Sequence, residues 1–291
     1  MNNSNDNHTS CWWCGSPADS REHIFKKTDI KRTYGKAFSD KNNLPLLISG
    51  STNTYKIQGP DAQPVKFKAN LCQNCNNARS SSFDRAYVKF IEHISPLFQE
   101  ILSTREINLK EIFGDSWKEE TRNLIKYYIK HIGCRLANEK IPTPENLVRF
   151  LNDEEELKDV KLQFEVRPLN KAISEISFDT GVPFEVLKVG NLLTVNVARE
   201  KAQLSRSYLS WITTGWLSVN YLIESDVSRS NLAIFNSNHK LSVKVANLEL
   251  PSGFEDQKNI YEKTNLIEDY DRSCSNEAIQ KFYFRLKEQE I

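Results

Sequence analysis

Asn70-Leu71-Cys72-Gln73-Asn74-Cys75-Asn76-Asn77-Ala78-Arg79 runs from an apolar pair, through two cysteines separated by two residues, into a polar stretch. The same Cys-x-x-Cys spacing occurs earlier, at Cys11-Trp12-Trp13-Cys14. A short turn of this kind points two thiolates at one ion, and two such turns supply the four soft ligands of a tetrahedral zinc. The spacing therefore predicts one structural zinc on Cys11, Cys14, Cys72 and Cys75 that ties together distant parts of the chain. Cys134 and Cys274 have no near partner. They read as small buried hydrophobes.

Between the two knuckles lies Ser20-Arg21-Glu22-His23-Ile24-Phe25-Lys26, with an acid directly before a histidine. Together, the two knuckles, this strand and the strand-knuckle-helix stretch at 70–79 resemble the HNH, or ββα-metal, endonucleases in their zinc-stapled form. The resemblance covers about residues 11–90. It departs at Lys26, where the family often has proline, and at Glu22, where Asp is common. It implies that Glu22 and Asn76 hold a catalytic divalent ion, that His23 activates water, and that Asn70 is the nearest candidate for the residue that orients the base.

The chemistry suits those residue types. An imidazole with an ordinary pKa of about 6.5 can take a proton from water near neutral pH. A hard cation held by one carboxylate and one amide oxygen, with water and phosphate completing its shell, fits Mg2+ or Mn2+. On a regular strand Glu22 and His23 point to opposite faces, so a bulge or twist is needed for both to serve one centre. Asn76 also has the side chain of a helix cap, a role compatible with ligation. Arg79 is a candidate phosphate clamp, since a guanidinium matches phosphate in a two-pronged geometry. Lys26, Lys27, Lys31, Arg32 and Lys36 form the densest basic run, and they read equally as a solvated face or as nucleic-acid contacts. Asp84 is read as part of a solvated helix face, with a second metal carboxylate as the alternative.

The remaining pattern predicts an α+β chain: a loose tail over residues 1–10, a zinc-stapled nuclease-like domain over 11–104, and an α+β accessory domain with an antiparallel sheet over 105–291. Phe83, Tyr87, Phe90, Ile91 and Ile94 recur at helical spacing, predicting a helix over 78–95. Residues 44–57 read as an inserted hairpin. Helices are expected over 117–137, from Glu145 to Leu151 and near Asn276 to Lys287. Strands are expected over Lys161–Val166, Phe184–Val189, Leu192–Val197, Tyr208–Ile223 and Leu241–Ala246. Trp211, Trp216 and Tyr221 read as core, with a base-stacking surface as the alternative.

Charge and composition bound the function. Of 39 Lys and Arg and 38 Asp and Glu, residues 1–105 hold 14 and 9, a balance of +5 on the half with the nuclease-like motif; the rest balances at −4. That excess is of the sign that attracts a phosphate backbone. No stretch approaches the roughly 20 apolar residues that span a bilayer, and the first ten residues are unlike a signal peptide, so no membrane partner and a cytoplasmic location are expected. The reading is a metal-dependent endonuclease acting on nucleic acid, DNA foremost, in a setting such as bacterial or phage defence or restriction. The accessory domain would select substrate, form a homo-oligomer or dock a regulatory protein. The alternative is a catalytically inactive zinc-stapled module that binds nucleic acid or protein.

Overall fold

A computed structural model describes residues 10–35, 37–39, 41, 44–49, 53–158, 160–168, 170–171, 187–190, 192–198, 204–223 and 239–246. The tail over 1–9, the expected helix near 276–287, Cys274 and Phe184 to Val186 lie outside these residues.

The chain opens on the first cysteine knuckle, then an extended segment around residues 20–24 leads into helix α1 (Lys27–Tyr34). The inserted hairpin follows as β1 (Leu46–Ser49) and β2 (Asn53–Lys56), paired antiparallel. Residues 65–71 return antiparallel to 20–24 through the bridges His23–Lys66 and Ser20–Leu71. The pairing slips by two residues between these bridges, so 66–71 carries a bulge. A π-helical turn (Asn74–Ala78) holds the second knuckle and leads into α2 (Ser81–Ile94), whose Phe83, Ala86, Tyr87, Phe90, Ile91 and Ile94 are buried. The expected helix starts three residues later than its apolar spacing indicates, because the knuckle takes up the intervening turn.

Then come α3 (Phe98–Thr104), β3 (Glu106–Asn108), α4 (Leu109–Phe113), the long α5 (Trp117–Asn138) and α6 (Glu145–Leu151). The sheet is built from β4 (Val160–Val166), β5 (Leu187–Val189), β6 (Leu193–Ala198), β7 (Leu204–Thr214) and β8 (Leu217–Ile223). Two short strands close the described chain: β9 (Lys240–Ser242) beside β3, and β10 (Lys244–Val245) beside β4. The sheet order is β10-β4-β8-β7-β5, with β6 also on β7. All its pairings are antiparallel except β10 with β4.

The stretch 208–223 is a hairpin, turning at Gly215 and Trp216, where Gly215 adopts φ +61°. β4 alternates strictly, with Val160, Leu162, Phe164 and Val166 turned inward. Phe164 meets Phe90 of α2 at 5.9 Å and Tyr128 of α5 at 5.7 Å, which sets both helices on this face of the sheet. Trp216 and Tyr221 are buried, and Trp216 packs edge-on against Phe98. The buried apolar side chains form one core running from Cys11 to Val243, across the expected boundary at residue 104. Among the described residues no helix is long and apolar enough to cross a membrane.

Candidate functional site

The four knuckle cysteines converge. Their sulfurs all lie within 4.8 Å of one another, and those of Cys14 and Cys72 are 3.6 Å apart. A tetrahedral ion with Zn–S bonds of about 2.3 Å requires sulfurs about 3.8 Å apart, so these four can hold one metal ion such as zinc. Local geometry shapes each knuckle. Gly15 turns the first at φ +78°, a conformation that favours glycine, and donates its N–H to the Cys11 carbonyl. In the second, the Cys75 N–H points at the Cys72 sulfur at 3.4 Å. Burial raises the Cys11 and Cys75 thiols above their usual pKa, whereas a hydrogen bond from the Ser16 hydroxyl brings Cys14 down to about 6. A bound cation pulls all four toward thiolate.

Both tryptophans of the first knuckle anchor it. Trp12 lies so close over Gly133 of α5 that a Cβ there would sit 2.3 Å from the ring. Trp13 stacks on Phe83 at 6.0 Å and donates its indole N–H to Asn152. Arg79 belongs to this structure: its guanidinium covers the Trp13 ring at 4.4 Å and donates to the Cys75 sulfur and to Asn152 Oδ1. The Cys75 sulfur and the Trp13 ring face use the same donors and flat cation that a phosphate would.

Glu22 and His23, adjacent in sequence, face different surroundings. Glu22 turns inward, 7% exposed, and its carboxylate meets the Lys130 ammonium of α5 at 2.7 Å. Lys130 is 1% exposed and also approaches Asp84 Oδ1 at 3.5 Å and Ser80 Oγ at 3.2 Å. Burial alone would lower the Lys130 pKa, but Glu22 and Asp84 outweigh it and hold the ammonium above its usual value. Asp84 in turn meets Lys26 at 2.6 Å. Asp84 is thus a member of a partly buried ion cluster, in place of the solvated face its sequence position suggests.

Asn76 stands beside this cluster. Its Nδ2 donates to Ser20 Oγ at 2.8 Å, and its carbonyl accepts from Ser80. Its buried Oδ1 has no hydrogen-bond partner. The side chain therefore crosslinks the turn to the Ser20 segment and does not cap α2. An orphaned amide oxygen is what a cation ligand presents, so Asn76 fits a metal. Glu22 fits one with its carboxylate already facing a cation, Lys130.

His23 looks the other way, toward the turn that closes the insertion. Its Nε2 lies 3.1 Å from the Pro60 carbonyl and 3.4 Å from Asp61 Oδ1. A carbonyl only accepts, so in the neutral ring Nε2 carries the proton and Nδ1 keeps the lone pair. Burial lowers the His23 pKa and, with help from Lys66, outweighs the opposing effect of Glu22 and Asp61; the ring is neutral at physiological pH. Asp61 is shared with Lys27 and with Lys66 at 3.5 Å. Asn70 does not reach His23; its Nδ2 donates to the Cys134 carbonyl.

The basic run is divided. Lys26 and Lys27 are paired with Asp84 and Asp61, Arg32 with Asp29 at 3.2 Å, Lys31 is exposed, and Lys36 lies outside the described residues. Sequence reasoning missed Lys130, Ser20, Ser80, Pro60 and Asp61. The lysine sits in Tyr127-Tyr128-Ile129-Lys130-His131-Ile132, and a lysine inside an apolar helical stretch is the only local signal for it.

Comparison with known proteins adds no relative: no protein family model, no curated protein and no solved structure matches the chain.

Proposed function

We propose that this chain is a phosphodiester hydrolase of the HNH, or ββα-metal, kind, acting on nucleic acid, with zinc on its four cysteines as a structural staple. The observation that carries the reading is His23. Its Nε2 is occupied by the Pro60 carbonyl, its Nδ1 is left as proton acceptor, and its burial keeps the ring unprotonated. These are the properties of a general base. His23 Nδ1 would take the proton of the attacking water, and Pro60 would hold the ring in the tautomer that leaves Nδ1 free. Lys66, whose ammonium lies within reach of the Asp61 that also meets His23, would attract the scissile phosphate. Glu22 and Asn76 would hold the divalent ion, Mg2+ or Mn2+, whose chemistry is to neutralise the phosphate and the leaving oxygen; the backbone at 22–23 would have to turn for the inward Glu22 and His23 to serve one centre. DNA is the proposed substrate, and defence or restriction the proposed setting.

A second reading has its own support. Because the Glu22 carboxylate is already paired with a buried lysine, the module could serve to bind nucleic acid or a protein without cutting. One experiment separates the two: incubate purified zinc-loaded protein with plasmid DNA, single-stranded DNA and RNA, with Mg2+, Mn2+ or EDTA, beside His23→Ala. Metal-dependent cutting that His23→Ala loses supports the hydrolase. Binding without cutting under every condition replaces it with the binding module.

A further inference from the structure

We propose that the Lys130 ammonium is the resident cation of the Glu22–Asn76 centre, so that a divalent ion reaches Glu22 only by displacing it. The inference rests on reading Glu22 and Asn76 as an ion-binding pair, and it adds a competitor supplied by α5, outside residues 20–94.

Three observations carry it. Lys130 is almost fully buried, and its ammonium has three oxygens around it: Glu22 at 2.7 Å, Ser80 at 3.2 Å and Asp84 at 3.5 Å. A cation ringed by carboxylate and hydroxyl oxygens occupies the kind of position a hard metal ion takes, although at ammonium rather than metal distances. Second, the cluster is electrically complete. Glu22 and Asp84 bring two negative charges, and Lys130 with Lys26, 2.6 Å from Asp84, bring two positive ones. A divalent ion added to this set leaves two uncompensated positive charges, so an ammonium held against Glu22 opposes its entry and has to give up that carboxylate. Third, Asn76 Oδ1 remains buried without a donor while every charged neighbour is matched. The buried amide oxygen of Asn76 is therefore a ligand atom that a metal would find unclaimed.

Lys130 cannot withdraw by a simple rotation into solvent, since it projects from the middle of α5, among residues buried along most of the helix. Its ammonium would have to turn from Glu22 toward Asp84 and Ser80, which stay within its reach. Ion binding at Glu22 is thus coupled to the placement of α5, the same helix that carries Gly133 under Trp12 of the zinc knuckle.

The test uses the zinc-loaded full chain. Binding of Mn2+ is followed by the electron paramagnetic resonance of the free ion, and thermal unfolding is measured with and without millimolar Mg2+. Wild type is compared with Lys130→Gln, Lys130→Met and the double variant Glu22→Gln/Lys130→Met. Mn2+ does not displace zinc from four thiolates, since soft sulfur ligands and the divalent-metal affinity order both favour zinc. The expected result is that Lys130→Gln and Lys130→Met bind one Mn2+ at least about tenfold more tightly than wild type and gain several degrees of melting temperature from Mg2+. The double variant should gain neither. Equal Mn2+ affinity in wild type and Lys130→Gln overturns the proposal. So do single variants that stay unfolded in millimolar Mn2+ while the double variant folds, because Lys130 is then only a counter-charge. Cleavage is not among these readouts: a Lys130→Gln that gains Mn2+ beside a wild type that never cuts nucleic acid upholds the competition and removes the hydrolase reading.

Discussion

The sulfur cluster of the two knuckles and the charge cluster around Lys130 are made in opposite ways. The sulfur cluster gathers four residues from two short turns, and the spacing within each turn sets its own pair. The charge cluster gathers Glu22 and Lys26, Asp84 and Lys130 from three separate stretches, the 20–26 segment, α2 and α5, which only the fold brings together. The first can hold an ion that has to be added, and the second is held by ions the chain supplies itself. Removing the metal and removing a lysine should therefore fail differently.

The largest expected effect is at the sulfurs. Structural zinc is worth roughly 10 to 16 kcal/mol in small zinc modules, so Cys75→Ser or exhaustive chelation should unfold the segment around residues 11–30 and 65–80. Trp12 and Trp13 report it, because both rings belong to the knuckle and pack on Gly133 of α5 and on Phe83. A Cys75→Ser protein with native tryptophan fluorescence and native resistance to protease would erase the distinction between the clusters. Elemental analysis finding no zinc in freshly purified protein would do the same.

Next in size is the loss at His23, which tests whether the chemistry stands apart from both clusters. General-base removal costs about 100-fold to 10,000-fold in rate. His23→Ala should lose that much cleavage while zinc content and melting temperature stay near wild type, since the ring contacts the 60–61 turn and none of the sulfurs. The depressed His23 pKa gives the pH profile a direction. Activity should persist below pH 6.5 and fall only as the pH drops through the lowered value. A profile that falls at or above pH 6.5 would mean that His23 is not the base.

How far the sequence reached follows the same division. The cysteines were legible because a thiolate pair needs two residues at fixed spacing, and that spacing survives whatever the rest of the chain does. Helices α2 and α5 were legible from apolar period, and β4 from its alternation. The hairpin turn at Gly215 was hidden because Thr213 to Leu217 reads as continuous strand residues around one glycine. Lys130 was hidden for a deeper reason: a buried lysine is intelligible only beside carboxylates that arrive from other elements. Arg79 shows the converse. A basic residue beside the motif reads as a phosphate contact, yet the knuckle itself offers a ring and a sulfur that hold it.

A smaller effect probes the joint between the knuckle and α5. A Cβ at Gly133 would lie 2.3 to 2.7 Å from three atoms of the Trp12 ring, closer than packed carbons approach. The ring is wide and stiff, so it must shift as a body. Gly133→Ala should cost about 1 to 3 kcal/mol, the usual range for overpacking, despite alanine's better helix propensity. Gly133→Ala combined with Trp12→Leu should recover part of that loss, because the smaller side chain opens the space. A Gly133→Ala protein as stable as wild type in urea would show that the knuckle is not seated on α5.

The smallest effect per step concerns His131, next to Lys130 on α5 and 2% exposed. Its Nε2 lies 3.0 Å from the Ile24 carbonyl, so the neutral ring carries its proton there, and Nδ1 is buried without a donor. Burial, followed by the nearby Arg135 charge, lowers the His131 pKa to about 3. In the unfolded chain it returns to about 6.5. Between those values the unfolded state binds a proton that the folded state refuses, so stability must fall as the pH falls, by about 1.4 kcal/mol per unit from this one group. Above about pH 6.5 neither state is protonated and the contribution is flat. His131→Leu removes the linkage while keeping an apolar side chain against Phe67, at the cost of leaving the Ile24 carbonyl without its donor, an offset that does not vary with pH. Urea unfolding of both proteins from pH 7 to pH 5 should give curves whose separation changes by about 1.4 kcal/mol per pH unit below pH 6.5, wild type losing more. Acid also protonates the cysteines, but that affects both proteins alike and cancels in the difference. Parallel curves would mean that His131 meets a proton equally well folded and unfolded, and that the α5 interior beside Lys130 is wetter than its burial indicates.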